Sequence, residues 1–343
     1  MEQKQPDMSG PAVVDWLAVL TVGQAVAHDR LTVFAAFAPA ADRPALSYRT
    51  LAEALAEGWV EVSERAAATV PELVLTNRGH EMVLVMGGEE IVGGKQNRIV
   101  NASFLVGAKS QVTLPVTCVE HGRWHGASPR FRAGEASYHS LRRAQQEQVS
   151  ASLDAHGRHA ADQAAIWADL AVRHARLASH SPTGAMQDLY RHRAASLDGY
   201  AQALPYPHDA TGLIAAIGDQ VAGADLFDSP RTAAALWERL VRSYALDALE
   251  PGAQAPVAES AALAFLQRAR AASYRVFPSL ALGEDVRLQG DGVSGAALVY
   301  QGTPVHVALY AASGEGRRQV ETPHLARSSL RRWLQSEPPD RND

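Results

Sequence analysis

The chain has 343 residues, of which 47% are hydrophobic and 20% charged, with a formal net charge of −5. That balance excludes a disordered chain and gives no general attraction for nucleic acid or an anionic membrane. A single cysteine, Cys118, excludes an internal disulfide framework and a cysteine-built zinc cage.

The first residues carry no basic n-region followed by an apolar run, and no stretch reaches the length of a membrane-spanning helix. The chain therefore reads as a soluble cytoplasmic protein of about two domains. Residues 1–14 read as a flexible N-terminus. LTVFAAFA (31–38) reads as a strand, and SYRTLAEALAEG as a short helix with Ser47 as N-cap and Gly58 as C-cap. Strands follow at 59–64, 72–77 and 81–86, the last two joined by a hairpin turn at Asn77–His80. Residues 98–106 and 111–120 alternate as half-buried strands. Segments 15–136 thus form a β-rich unit.

From Ser137 the period changes to that of helices. Helical segments run from Ser137 to about Ala203, and TGLIAAIGDQVAGADLF reads as a hairpin turning near Gly218. Ser229-Pro230 starts a further helix, with a cap followed by proline at the first helical position. Another helix and a last set of strands complete a second unit, 137–312, and 313–343 form a tail, mobile at its end. The expected fold class is α+β: a β-rich N-terminal unit with one short helix, then a helical segment and a second set of strands.

The stretch Gly87–Trp124 holds most of the chemistry. Period two places Val112, Leu114, Val116 and Cys118 on one face of a strand, with Glu120 at the end of that row. A carboxylate there requires a partner or the mouth of a pocket. Arg98, if inward, is the natural partner of Glu120, Glu89 or Glu90. His121, Arg123 and His125 face the other way unless Gly122 breaks the strand. His121 and His125 stand about 13 Å apart by strand rise, too far for one metal ion without a bend. Cys118, on an apolar face, reads as a core thiol more readily than as a nucleophile. Residues 95–143 carry eight basic side chains against Glu120 and Glu135, a basic island suited to an anionic small ligand. Arg130, Arg132, Arg142 and Arg143 within it read as solvent-facing, and His156, His159, His174, His180 and His192 as helix-surface residues. Asp228 reads as structural, near a helix cap, and Asp225 stays open between roles.

Gly88-Glu-Glu-Ile-Val-Gly-Gly-Lys-Gln-Asn-Arg98, then Asn101 and Ser103, then Leu114-Pro-Val-Thr-Cys-Val-Glu-His-Gly-Arg-Trp124, resemble the signature of the ADP-ribosylglycohydrolase- and rhodanese-phosphatase-associated protein domain family. Gly223–Pro230 and Ser243–Ala248 are similar to its later segments. The resemblance spans about residues 15–312 and departs at Gly94, where alanine is expected. It implies a place in NAD or ADP-ribose metabolism and carries over no settled activity, metal or cofactor. The expected reading is an enzyme acting on an anionic, phosphorylated small molecule, with Glu89, Glu90 or Glu120 as general acid/base. Lys95, Gln96, Asn97, Arg98, Asn101, Arg123 and Trp124 are the expected ligand-binding residues. The alternative is a non-catalytic ligand- or partner-binding module, in which helices bearing Trp167 and Trp237 pack against a second copy.

Overall fold

The computed structural model describes residues 9–39, 45–64, 71–123 and 130–312. Trp124, His125 and the tail from 313 lie outside the described residues. The first third runs α1 (Ser9–Ala18), β1 (Thr21–His28), β2 (Leu31–Phe37), β3 (Tyr48–Thr50), α2 (Leu51–Ala56), β4 (Val60–Ser63), β5 (Glu72–Asn77), β6 (Met82–Val85) and β7 (Glu89–Val92). β8 (Arg98–Val100), β9 (Phe104–Val106), β10 (Gln111–Cys118) and β11 (Arg132–Ala136) precede four helices, α3 (His139–His156), α4 (Gln163–Arg176), α5 (Met186–His192) and α6 (Ala194–Ala203). The chain ends with β12 (Gly212–Ile217), β13 (Gln220–Phe227), α7 (Pro230–Ala248), α8 (Glu259–Ala271), β14 (Ser273–Pro278), β15 (Glu284–Gly290), β16 (Val293–Tyr300) and β17 (Thr303–Ala311). The fold is α+β, and no helix among the described residues is long and apolar enough to cross a membrane.

An antiparallel sheet of eight strands, ordered β1-β2-β12-β13-β17-β16-β15-β14, forms the body. It draws β1 and β2 from the front of the chain and the other six from behind residue 136. A second sheet, β11-β7-β8-β10-β5-β4, and a small third, β3-β6-β9, hold the middle of the chain.

Alternation sorts the large sheet into two faces. Ala224, Leu226, Val286, Leu288, Val307 and Leu309 join an apolar core with Val13 and Leu17 of α1 and Phe265 and Leu266 of α8. The opposite face is covered by α3 and α7. α7 buries Leu236, Trp237, Leu240, Val241 and Tyr244 in a helical stripe. Each large side chain so buried contributes roughly 1.5–3 kcal/mol. Trp237 is used within the chain, its Nε1 donating to the Leu204 carbonyl at 2.9 Å.

Two local readings change. The short helix begins later than Ser47, because Tyr48–Thr50 pairs in parallel with Met82–Leu84. Thr50 then closes a capping box with Glu53. Asn77–His80 is a turn, held by Asn77 accepting from the Gly79 amide and donating to the Glu81 and Gly107 carbonyls. It joins no hairpin, since β5 pairs with β4 and β10 while β6 pairs with β3 and β9. α1 and β1 escape the sequence reading altogether: β1 is an edge strand whose residues are exposed or half-buried, so its pattern is weak.

Candidate functional site

β10 ends at Cys118, and the chain turns at Gly122, whose amide donates to the Thr183 carbonyl at 2.8 Å. The turn defeats the alternation. Arg123 returns onto Glu120, with Nη2 2.6 Å from Oε2. Glu120 also accepts from the Asn97 amide at 3.2 Å and from the Thr183 hydroxyl at 3.0 Å. Arg123 donates further to Asn97 Oδ1 at 3.0 Å and to the Gly94 carbonyl at 2.7 Å, and Gln96 Nε2 to the Glu120 carbonyl at 3.0 Å. Glu120, Arg123, Asn97 and Gln96 therefore form one buried knot that ties the 93–97 loop to the 119–123 turn. Charges this fully engaged fasten the backbone.

The other predicted residues separate. Arg98, 1% exposed, reaches Glu64 at 3.1 Å and the Gln96 carbonyl at 2.9 Å. Lys95 is half-buried, and its amide donates to the same Glu64 carboxylate at 3.0 Å. Glu89 pairs with Arg239 of α7 at 2.9 Å. Burial raises its carboxyl above the usual range, against the Arg239 charge and the Met86 amide. Cys118 is a core thiol, pushed up to about 11 by burial.

Glu90 is the exception among the acids. It is fully buried, and neither oxygen makes a well-formed hydrogen bond. Burial pushes its carboxyl up to about 8; the Glu135 amide offsets part of this, and the Glu135 charge adds to it. The β7–β11 pairing is irregular between Ala133 and Ala136. A Cβ at Gly134 there would lie 2.3 Å from Glu90 Oε2, so the glycine makes room for the acid.

A second group of buried charges, Arg142, Asp225, Asp285 and Arg287, lies elsewhere, on the α3 face of the large sheet. Strand register sets Asp225, Ala308, Ala296 and Arg287 in one row across β13, β17, β16 and β15. Phe227, His306, Leu298 and Asp285 form the next. Two alanines thus separate Asp225 from Arg287, and the space above them is a narrow cavity of about 30 Å³. Arg142, Gln145 and Gln146 of α3 close it from above, and Gly87, Asn101, Ala102 and Ser103 of the signature segment form one wall.

The charges are matched. Arg142 grips Asp225 with both terminal nitrogens, at 2.6 and 3.0 Å, and the Tyr244 hydroxyl donates to the same carboxylate at 2.8 Å. Burial alone would raise the Asp225 carboxyl; the Arg142 charge and the His306 contact outweigh it and hold it below the usual range. Arg287 donates to Asp285 at 2.6 Å, and His159 Nε2 lies 2.8 Å from the same oxygen. Burial opposes ionisation of Asp285 as well, and Arg287 and His159 prevail. His139 stacks on Tyr244 and Tyr310 and is driven down to about 3 by burial, so it is neutral.

Of the predicted ligand residues, only Asn101 lines this cavity, accepting from Thr117 and Gln145 at 2.7 and 2.9 Å. Arg142 does not face water, and His159 and His174 are not surface residues; all three are buried. A signal for the cavity exists in the sequence. His139, Arg142, Gln146 and Val149 repeat at helical spacing, and Asp285 and Arg287 alternate with Val286 and Leu288 as His306 does with Val305 and Val307. Among the described residues, no group of three or more His, Cys, Asp or Glu side chains is placed to hold a metal ion.

Residues 19–310 match the family model described as the ARG and Rhodanese-Phosphatase-superfamily-associated Protein domain. No curated protein and no solved structure matches the chain. The chain belongs to this family, and the match covers both the signature segment and the sheet that carries the cavity.

Proposed function

We propose that this member of the family binds an anionic, phosphorylated small molecule of the NAD or ADP-ribose type, and that the polar cavity receives one of its charged groups. The observation that carries the reading is a pair of buried donors. Arg142 Nε and Arg287 Nε make no hydrogen bond, and both side chains line the cavity. A buried N–H left without an acceptor costs about 1–3 kcal/mol, so two beside one cavity mark a place for oxygen atoms. Water serves in the unliganded protein, since about 30 Å³ of such space takes one or two molecules. A nucleotide-sized ligand would place only a phosphoryl tip there, with its body beyond the partly exposed residues Gly87, Ser103 and Ala296.

A second reading, carboxylate acid/base catalysis, is favoured by Glu90 alone. Glu89 and Glu120 are ion-paired, while Glu90 keeps its proton at neutral pH.

Thermal unfolding with ADP-ribose, NAD and inorganic phosphate tests the binding reading. At one hundred times Kd a ligand adds about 2.7 kcal/mol, which raises Tm measurably. Arg287→Lys keeps the positive charge and removes the Nε donor. The rise is expected in the wild type and reduced in Arg287→Lys. No rise at millimolar ligand, or an equal rise in both proteins, refutes the reading.

A further inference from the structure

Ser103 differs from the rest of the cavity wall. It lies between β8 and β9, is only half-buried, and stands where the partly exposed lining residues gather. Its Oγ lies 2.7 Å from His306 Nδ1 and accepts from the Gly87 amide at 2.9 Å. On the other side of the ring, His306 Nε2 lies 3.4 Å from Asp225 Oδ1. The ring is stacked flat on Phe227, centroids 4.8 Å apart and planes within 10°.

These contacts assign the protons. Asp225 is an ionised acceptor, so the His306 tautomer it favours carries hydrogen on Nε2. Nδ1 is then the acceptor. Because the Gly87 amide already donates to Oγ, the serine proton points at Nδ1. Hydroxyl and imidazole are thus paired as nucleophile and base; the Asp225 carboxylate, 3.4 Å from Nε2 without a hydrogen bond to it, acts on the ring through its charge, with the ring nitrogens in the opposite order from the serine-protease arrangement.

We propose that Ser103 is a nucleophile activated by His306, acting on a phosphate ester of a small molecule. The inference rests on the cavity being the binding site. Ser103 Oγ would bond to phosphorus while its proton passes to His306 Nδ1. The bond from phosphorus to the alcohol oxygen breaks, and that oxygen takes the proton from His306. Water then attacks the phosphoserine, giving one proton through His306 to Ser103 Oγ, so that phosphate leaves and the hydroxyl is restored. The unpartnered Nε–H groups of Arg142 and Arg287 are donors for the phosphoryl oxygens. A merely structural Ser103 would hold the His306 ring and nothing more.

Diisopropyl fluorophosphate, a small phosphorylating probe, separates the two roles. Intact mass and peptide mapping are expected to find one adduct, on Ser103, absent from Ser103→Ala and formed at least about a hundredfold more slowly in His306→Gln. A wild-type protein that shows the ADP-ribose-dependent rise in Tm but no adduct, or an adduct on another residue, overturns the nucleophile and leaves the binding reading standing. Loss of both the adduct and the rise overturns both. Should His306→Gln fail to fold, the comparison of wild type with Ser103→Ala decides alone.

Discussion

Glu90→Gln gives the sharpest stability prediction. The folded protein holds this carboxyl protonated up to about pH 8, because burial removes its solvation and the Glu135 amide offsets only part of that loss. In the unfolded chain the same group ionises near its ordinary value of 4.5. Below that value both states carry the proton, and the contribution of Glu90 to stability is complete. As pH rises, the unfolded chain gains by releasing the proton, and stability falls until the folded carboxyl ionises near pH 8. At about 1.4 kcal/mol per pH unit, the loss reaches up to roughly 5 kcal/mol. Glutamine has nearly the same shape and no proton to release. Urea unfolding at steps from pH 4 to 9 is expected to give curves that agree within about 1 kcal/mol at pH 4 and diverge by several kcal/mol at pH 9, with the variant more stable. Parallel curves between pH 5 and 8 would refute the assignment of a proton to Glu90.

Other perturbations read the same structure differently. Asp225→Asn leaves Arg142 buried without a counter-charge and is expected to cost about 3–5 kcal/mol in urea unfolding, with much of it recovered in Asp225→Leu/Arg142→Met. Gly134→Ala sets a methyl 2.3 Å from Glu90 Oε2 and 2.8 Å from Val92 Cγ2 and is expected to cost about 1–3 kcal/mol; adding Glu90→Ala should relieve part of the clash, measured as a double-mutant coupling. Glu120→Ala breaks the loop knot and is expected to cost about 3–5 kcal/mol without reducing the ligand-dependent rise in Tm.

Much of the architecture was legible because it rests on local rules. The helix after Ser229-Pro230 and the hairpin at Gly218 lie where proline and glycine put them, although the Ser229 side chain makes no capping hydrogen bond. Val112, Leu114, Val116 and Cys118 are buried as period two requires. The site was less legible, for two reasons. Alternation holds only while a strand lasts, and the turn at Gly122 is the break on which the placement of Arg123 depended: it brings Arg123 onto Glu120. And Arg142, Asp225, Asp285 and His306 are far apart in sequence. Each looks ordinary on its own element; antiparallel register across four strands makes neighbours of Asp225, His306 and Asp285, and the packing of α3 brings Arg142 onto them. The polar signature segment drew notice by density, yet much of it fastens loops, and its role at the cavity falls to Gly87 and Asn101–Ser103.

A crystal structure of the protein with ADP-ribose tests the central claim most directly. The account predicts a phosphoryl oxygen within hydrogen-bonding distance of Arg142 Nε or Arg287 Nε, with the ligand leaving past Ser103. A ligand held instead by Lys95, Arg98 or Arg123, with the cavity filled only by water, would contradict it.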